Sequence, residues 1–250
     1  MSLTAVWLSN FVSGHTINAA GLLDLRLPDW QAGLVDVALM ALLSVQHNVM
    51  ARPAVKARMR RLVPFPWERS LFAAAASLAL CLVMLMWQPL PALVWTVRQP
   101  YGTIVTCVGA LGMAVILTSA WGMQGGELLG LTQAWLGVDA EDFPRHPFVL
   151  NPFYRRVRHP QYLGLLVALF ATPTMSVGRL LFACYQLAFV LWSLALEEGD
   201  LEREYGTQYK VYRKAVPALV PRITPYMPER EAAEGEAANV AGAGATKKQQ

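Results

Sequence analysis

Residues 162–196 read YLGLLVALFATPTMSVGRLLFACYQLAFVLWSLAL and determine how the C-terminal half of the chain must be arranged. A single helix of these 35 residues would be about 52 Å long, whereas the hydrocarbon core of a bilayer is about 30 Å thick. Pro173 and Gly178 interrupt the run near its middle. The stretch therefore predicts a tight helical hairpin, Tyr162–Thr172 and Arg179–Leu196, which enters and leaves a membrane on one side.

Earlier apolar stretches predict further membrane spans. The chain is 55% hydrophobic and only 15% charged, against about 25% charged residues in an average soluble domain. We expect an all-α, polytopic membrane helix bundle in one domain, residues 1–228, followed by a disordered tail, Glu229–Gln250, which lacks apolar periodicity. The predicted spans are Gly33–Met50, Ser70–Trp87 and Ile104–Trp121, with Val6–Leu23 as a further candidate.

The basic residues alternate between the connections, and this alternation predicts the orientation. Lys and Arg concentrate on cytoplasmic loops. The connections near residues 55, 150 and 205 are rich in them, whereas Gln88–Gly102 holds only Arg98 and the hairpin tip holds only Arg179. The three basic connections are therefore expected in the cytoplasm. Basic clusters beside apolar spans are typical of contact with anionic lipid rather than nucleic acid.

After the hairpin the apolar residues take up the spacing of an amphipathic helix. Leu201, Tyr205, Tyr209, Tyr212 and Val216 recur at four, four, three and four residues, which places them on one face of a helix. Pro217 ends the pattern. We expect one cytoplasmic amphipathic helix that covers a site.

The segment NPFYRRVRHPQYLG, residues 151–164, is the densest group of polar residues beside a span. Pro160 suits the first turn of a helix, so His159 lies at or next to the N-cap, where free N–H groups attract anions. Arg155 and Arg158 add positive charge, and Gly164 allows a close backbone approach. The alternative is a basic membrane-edge anchor with an interfacial tyrosine.

Acidic residues end the second arm of the hairpin. Glu197, Glu198 and Asp200 are costly at the hydrocarbon edge unless they face a cavity or a partner. Since a hairpin brings its two ends together, we expect Glu197 or Glu198 to share a wet pocket with the arginine–histidine segment; simple solvation at the interface is the alternative. His47, near the end of the first clear span, is either a functional or a structural histidine.

These motifs together resemble the isoprenylcysteine carboxyl methyltransferase superfamily of membrane methyltransferases. The segment RHPQYLG, residues 158–164, is similar to its RHPxYxG signature, and Glu197-Glu198 with the following tyrosines is similar to its C-terminal motif. The bacterial methanethiol S-methyltransferase branch, with its denitrification-associated relatives, resembles the chain more closely over residues 34–221. The additional matching segments are Gln46–Pro53, Glu68–Ser70, Trp87–Pro89 and Ala171–Met175.

The resemblance implies S-adenosylmethionine as methyl donor, bound in a cytoplasmic pocket of a bacterial inner-membrane protein. It implies donor-binding roles for Arg155, Arg158, His159, Tyr162, Leu163, Gly164, Glu197, Glu198, Tyr209 and Tyr212. A thiol acceptor must lose its proton to become nucleophilic, and the candidate catalytic residues are His47, His159 and Glu198. We expect no metal, and a small apolar acceptor that arrives from the membrane.

The residues leave alternatives open on the acceptor side. The stretch Gln124–Gly130 lacks the histidine that the methanethiol branch has there, and Gly199 replaces an arginine that often follows the paired glutamates. Two rival interpretations are a non-catalytic membrane protein of the denitrification-associated type, and a methyltransferase acting on a lipid amine or a prenylated carboxylate. The sequence does not predict an oligomeric state.

Overall fold

The computed structural model describes residues 23–121, 131–137, 148 and 150–228. The candidate span Val6–Leu23 (apart from Leu23), the stretch Gln124–Gly130 and the tail Glu229–Gln250 lie outside the described residues. The chain divides into two compact units. Unit 1 comprises Met1–Pro147 with Gln161–Asp200, and unit 2 comprises Phe148–Pro160 with Leu201–Gln250. The expectation of one domain over residues 1–228 stays a prediction.

The described residues include four helices that are long and apolar enough to cross a membrane, which confirms the predicted all-α, polytopic architecture. Both α1 and α3 begin after a proline, Pro28 and Pro64, and carry an acid in the first turn, as suits a helix N-terminus. Because these first turns contain polar residues, the helix starts predicted from apolar content alone lie too late in the sequence. The four are α1 (Asp29–Ala51), α3 (Phe65–Met86), α4 (Tyr101–Trp121) and α7 (Val177–Tyr205).

Short elements connect the spanning helices. Two of them are helices, α2 (Pro53–Met59) and α5 (Leu131–Leu136), and two are strands, β1 (Leu93–Thr96) and β2 (Thr174–Ser176). The strands pair antiparallel, with Leu93 opposite Ser176 and Thr96 opposite Thr174. Because β1 follows α3 and β2 forms the tip of the hairpin, the two connections poor in basic residues meet at one end of unit 1.

The predicted hairpin is present, with two corrections. Its first arm is α6 (Pro160–Phe170), only 11 residues long, and α7 is the second. Pro173 interrupts the run as expected, but Gly178 lies inside the first turn of α7 and breaks nothing. The second arm also continues past Leu196 to Tyr205, because helical hydrogen bonding does not stop where the apolar residues do.

The prediction of one continuous amphipathic helix is wrong. Gly206 has a φ of +57°, a conformation that glycine adopts readily, and it separates α7 from α8 (Thr207–Ala215). The spacing nevertheless identified a real packing face. In unit 2 the buried side chains of Tyr209, Tyr212 and Val216 pack together with the partly buried Leu201 and Tyr205.

The core of unit 1 draws on α1, α3, α6 and α7. Met40, Val83, Trp87, Leu169 and Ala183 are buried together. The indole ring of Trp87 meets the ring of Phe182 edge-on at 5.8 Å. The short arm α6 is therefore a packed member of the bundle.

A buried hydrogen-bonded group around Gln88 closes the end of unit 1 that carries the strands. The Gln88 backbone N–H donates to Asp36 Oδ1 (2.8 Å), and its side-chain Nε2 donates to the carbonyl of Leu23 (3.0 Å). Both Asp36 and Gln88 are fully buried. Since an ionisable side chain within a span needs polar partners, this arrangement gives the segment Trp87–Pro89 a structural role.

Candidate functional site

The predicted site residues fall into two groups, one in each unit. Each group combines residues from separate stretches of the chain. Unit 1 contains His47, Tyr162, Leu163, Gly164, Glu197 and Glu198, and unit 2 contains Arg155, Arg158, His159, Tyr209 and Tyr212.

In unit 1, a tyrosine and a glutamate meet between the two arms of the hairpin. The hydroxyl of Tyr162, in the first turn of α6, donates a hydrogen bond to Glu197 Oε2 on α7 at 3.0 Å. A phenol keeps its proton at neutral pH, so Tyr162 is a hydrogen-bond donor to the carboxylate.

The neighbouring Glu198 is buried, with 3% of its surface exposed. A carboxylate placed so deeply near the end of a spanning helix is costly without a specific role. Adjacent positions on a helix point about 100° apart, so the two glutamates face different surroundings. This arrangement suits the recognition of a cationic group by at least one of them.

His47 lies on α1 among aromatic rings. Its imidazole is 5.1 Å from the ring of Phe72 and 6.1 Å from the ring of Phe189. Phe189 precedes Glu197 on α7 by eight residues, about 12 Å along the helix axis. The structure thus places His47 beside an apolar wall rather than beside the glutamate pair, and its role as a base stays a prediction.

Gly164 is in close contact with another helix. A Cβ added at Gly164 would lie 2.6 Å from the carbonyl oxygen of Gly112 on α4, and a Cβ at Gly112 would lie 2.6 Å from the carbonyl oxygen of Gly164. Because neither glycine has a side chain, the backbones of α4 and α6 can approach each other closely. The space at Gly164 is used for helix packing, and the donor-binding role predicted for this residue stays a prediction.

Arg158 is engaged with the end of α8 in unit 2. Its Nη1 donates to the carbonyl of Arg213 at 2.6 Å and also to the carbonyl of Val216. Carbonyls at a helix C-terminus attract basic side chains in this way. Sequence reasoning missed this capping role because it depends on a contact 55 residues away.

The segment before α6 is held by the chain that follows α8. The backbone N–H groups of Arg158 and His159 donate to the carbonyls of Pro217 (2.9 Å) and Ala218 (3.1 Å). In the opposite direction, Tyr226 N–H donates to the carbonyl of Arg155 (2.7 Å). His159 is 6% exposed. The histidine is therefore fixed in unit 2 by backbone pairing.

Tyr212 and Tyr226 of unit 2 border a cavity with aromatic residues in its wall. Tyr212 donates its hydroxyl proton to the carbonyl of Tyr154 (2.7 Å), and its ring lies 5.4 Å from Phe148 and 5.9 Å from Tyr209. A cavity of about 560 Å³ opens beside it, lined among others by Arg155, Phe148, Tyr212 and Tyr226. Aromatic faces with an arginine can receive a planar ring that carries an anionic group.

Replacing Arg158 with alanine is expected to loosen α8. The change removes the donor to two carbonyls at the helix end, a loss of about 1–3 kcal/mol for charged hydrogen bonds. Hydrogen–deuterium exchange should therefore become faster across Thr207–Ala215. The control is Arg156→Ala, because that side chain is exposed and, within the described residues, makes only a long contact to the carbonyl of Pro152 (3.5 Å). Equal protection of α8 in both variants would contradict the capping role.

Among the described residues, four apolar helices, the last of which carries the buried Glu198 beside Glu197 near its end, define a multi-pass membrane protein with a polar site. Comparison with curated proteins narrows this class. The chain is 40% identical over 195 residues to methanethiol S-methyltransferase of Mycobacterium tuberculosis (78% of this chain and 80% of that protein). It is 38% identical over 193 residues to methanethiol S-methyltransferase 2 of Bradyrhizobium diazoefficiens (77% and 74%). The chain belongs to the methanethiol S-methyltransferase family.

A eukaryotic membrane protein is also related. Nurim of Sus scrofa is 31% identical over 176 residues, which cover 66% of each chain. No protein-family model matches the sequence, and no solved structure matches it. The family named from the sequence motifs is thus confirmed by similarity over 78% of the chain.

Proposed function

We propose that the protein transfers a methyl group from S-adenosylmethionine to a small thiol, with methanethiol as the favoured acceptor. The thiol loses its proton, its sulfur forms a bond to the methyl carbon, and the carbon–sulfonium bond breaks. The products are a thioether, S-adenosylhomocysteine and a proton. The names of the related proteins support the acceptor, and the acid–tyrosine pair of unit 1 supports a cationic donor.

The observation that carries the proposal is the buried Glu198 beside Glu197, which accepts the hydrogen bond of Tyr162. When bound, S-adenosylmethionine supplies an electrophilic methyl group on a sulfonium, together with an ammonium group and a carboxylate. The two glutamates fit the cationic groups. Tyr162 holds Glu197 in one rotamer, so less side-chain entropy is lost on binding.

Taken by itself, unit 2 has groups of the kind that bind an adenine ring and a carboxylate. The cavity that contains Arg155 and Tyr212 is lined by aromatic rings, which favour an adenine ring, and an arginine favours a carboxylate. His159, and His47 on α1, are the candidate bases for the thiol proton. From the family motifs we also propose donor-binding roles for Leu163 in unit 1 and for Tyr209 in unit 2.

The proposed location is a bacterial inner membrane, with the donor-binding residues on the cytoplasmic side. Two features support this orientation. The basic connection that follows α1 and the acidic end of α7 meet at one end of unit 1, where Arg52 pairs with Asp200 (3.2 Å). Basic connections are typically cytoplasmic, and a polar donor comes from the cytoplasm while an apolar thiol can come from the lipid.

Calorimetric titration of the purified protein with S-adenosylhomocysteine tests donor binding. We expect saturable heat at one site per chain. A protein that is folded by circular dichroism but gives no saturable heat would contradict the proposal.

Replacing Tyr162 with phenylalanine is expected to weaken donor binding without unfolding the protein. The change removes one hydrogen bond to a charged group, which contributes about 1.5 kcal/mol or more, so Kd for S-adenosylhomocysteine should rise about tenfold. The matched control is Tyr185→Phe, a tyrosine of α7 that packs against the core of unit 1. Wild-type affinity in Tyr162→Phe would show that the contact does not serve the donor.

A further inference from the structure

The end of α1 contacts α7 at two points. Asn48 Nδ2 donates to Ser193 Oγ at 3.2 Å, and both residues are buried. Four residues beyond Asn48, directly after the end of α1, Arg52 Nη1 pairs with Asp200 Oδ2 at 3.2 Å. Neither contact involves a residue to which a role in catalysis or donor binding has been given.

These two contacts lie on either side of Glu197. Ser193, Glu197 and Asp200 are separated by four and three residues, so they share one face of α7. Glu197 is the middle residue of the three, and its carboxylate accepts the hydrogen bond of Tyr162. The contacts with α1 therefore fix the rotation of the helix face that carries Glu197.

Arg52 is itself held in place. Its Nε donates to the carbonyl of Asn48 at 3.1 Å, while Nη1 reaches Asp200. Carboxylates three residues apart on a helix repel each other, and the guanidinium compensates the charge of Asp200. Arg52 thereby lowers the cost of a charged Glu197 next to a charged Asp200.

From this arrangement we infer that Arg52 is a positioning residue for Glu197. Through Asp200 it sets the direction of the carboxylate that meets Tyr162. Asp200 is then an anchor for α7 rather than a ligand of the donor. The consequence for donor affinity rests on the proposed function, whereas the consequence for the position of Glu197 does not.

The kinetic test compares Arg52→Gln and the milder Asp200→Asn with the wild type. KM for S-adenosylmethionine should rise about fivefold in both, the factor that a partly exposed ion pair can supply, with kcat little changed. Exchanging the charges, with Arg52→Asp and Asp200→Arg together, should restore most of the loss. Arg60→Gln, which breaks the ion pair with Glu68 in the same connection (2.6 Å), is the control and should keep wild-type KM. Lower thermal stability with an unchanged KM would overturn the inference.

A second measurement needs no ligand. In a background in which Cys81, Cys107 and Cys184 are replaced by alanine, Tyr162→Cys and Glu197→Cys provide two thiols for a short bifunctional maleimide. Cross-linking should become several-fold slower when Arg52→Gln is added and should be unaffected by Arg60→Gln. An unchanged rate would overturn the inference even if the wild type bound no donor. If the wild type binds no donor but Arg52→Gln still slows the cross-linking, only the proposed function is overturned.

Discussion

Replacing Gly112 with leucine is expected to prevent the protein from folding, and even alanine should destabilise it. A Cβ at this position would lie 2.6 Å from the carbonyl oxygen of Gly164 and 2.8 Å from the backbone nitrogen of Ala168. These are backbone atoms of α6, so the helices must separate to relieve the clash. Overpacking of this kind costs about 1–3 kcal/mol for small additions and more for large ones.

The measurement is the thermal unfolding of purified protein in detergent. Gly112→Ala should unfold several degrees below the wild type, and Gly112→Leu should yield little folded protein. The matched control is Gly33→Ala, since the nearest atom to a Cβ there is Leu90 Cδ1 at 3.8 Å and alanine favours a helix by about 0.5–1 kcal/mol over glycine. Wild-type stability of Gly112→Ala would refute the close packing of α4 against α6.

Replacing Glu198 with glutamine is expected to cause the largest loss of donor binding. The change keeps the shape and removes the charge of a carboxylate that is 3% exposed. A cationic ligand would lose a charged interaction of about 1.5–3 kcal/mol, so Kd should rise about 10- to 100-fold. The loss should be larger for S-adenosylmethionine than for S-adenosylhomocysteine if the carboxylate faces the sulfonium.

Calorimetry with both ligands, together with thermal unfolding, separates binding from stability. Glu204→Gln is the control, since this acid lies on the same helix and is exposed. Equal affinity of Glu198→Gln and the wild type for both ligands would remove Glu198 from the site.

The spans and the hairpin could be predicted from the sequence because lipid imposes length and polarity on each helix. Pro173 within the run 162–196 is sufficient to predict the turn. The break at Gly206 was missed because side-chain periodicity continues through it from Tyr205 to Tyr209. Periodicity reports which residues share a core, and a single backbone angle at a glycine does not disturb it.

The candidate site could be predicted only in part. Tyr162 and Glu197 could be proposed as site residues because polar residues at the ends of apolar helices are costly unless they face a cavity or a partner. The capping role of Arg158 and the pairing of Arg52 with Asp200 depend on contacts between distant segments. The spacing of Ser193, Glu197 and Asp200 was a usable indication that one helix face carries polar contacts.

A membrane location suits the proposed chemistry because the two substrates differ in polarity. A small thiol partitions into lipid, whereas the donor carries charges and stays in water. Residues near the end of a spanning helix can meet both, and the transfer then depends on positioning two reactants in line. The hydrogen bond between Tyr162 and Glu197 and the ion pair between Arg52 and Asp200 are fixed contacts of the kind that such positioning requires.

Incubation of membranes containing the protein with methyl-labelled S-adenosylmethionine and methanethiol tests the central claim most directly. The volatile, lipid and protein fractions are then counted separately. We predict label in the volatile thioether fraction, dependent on added thiol and greatly reduced in Glu198→Gln. Label that appears instead in the lipid or protein fraction, or in no fraction, would contradict thiol methylation and favour a lipid amine, a prenylated carboxylate or a non-catalytic role.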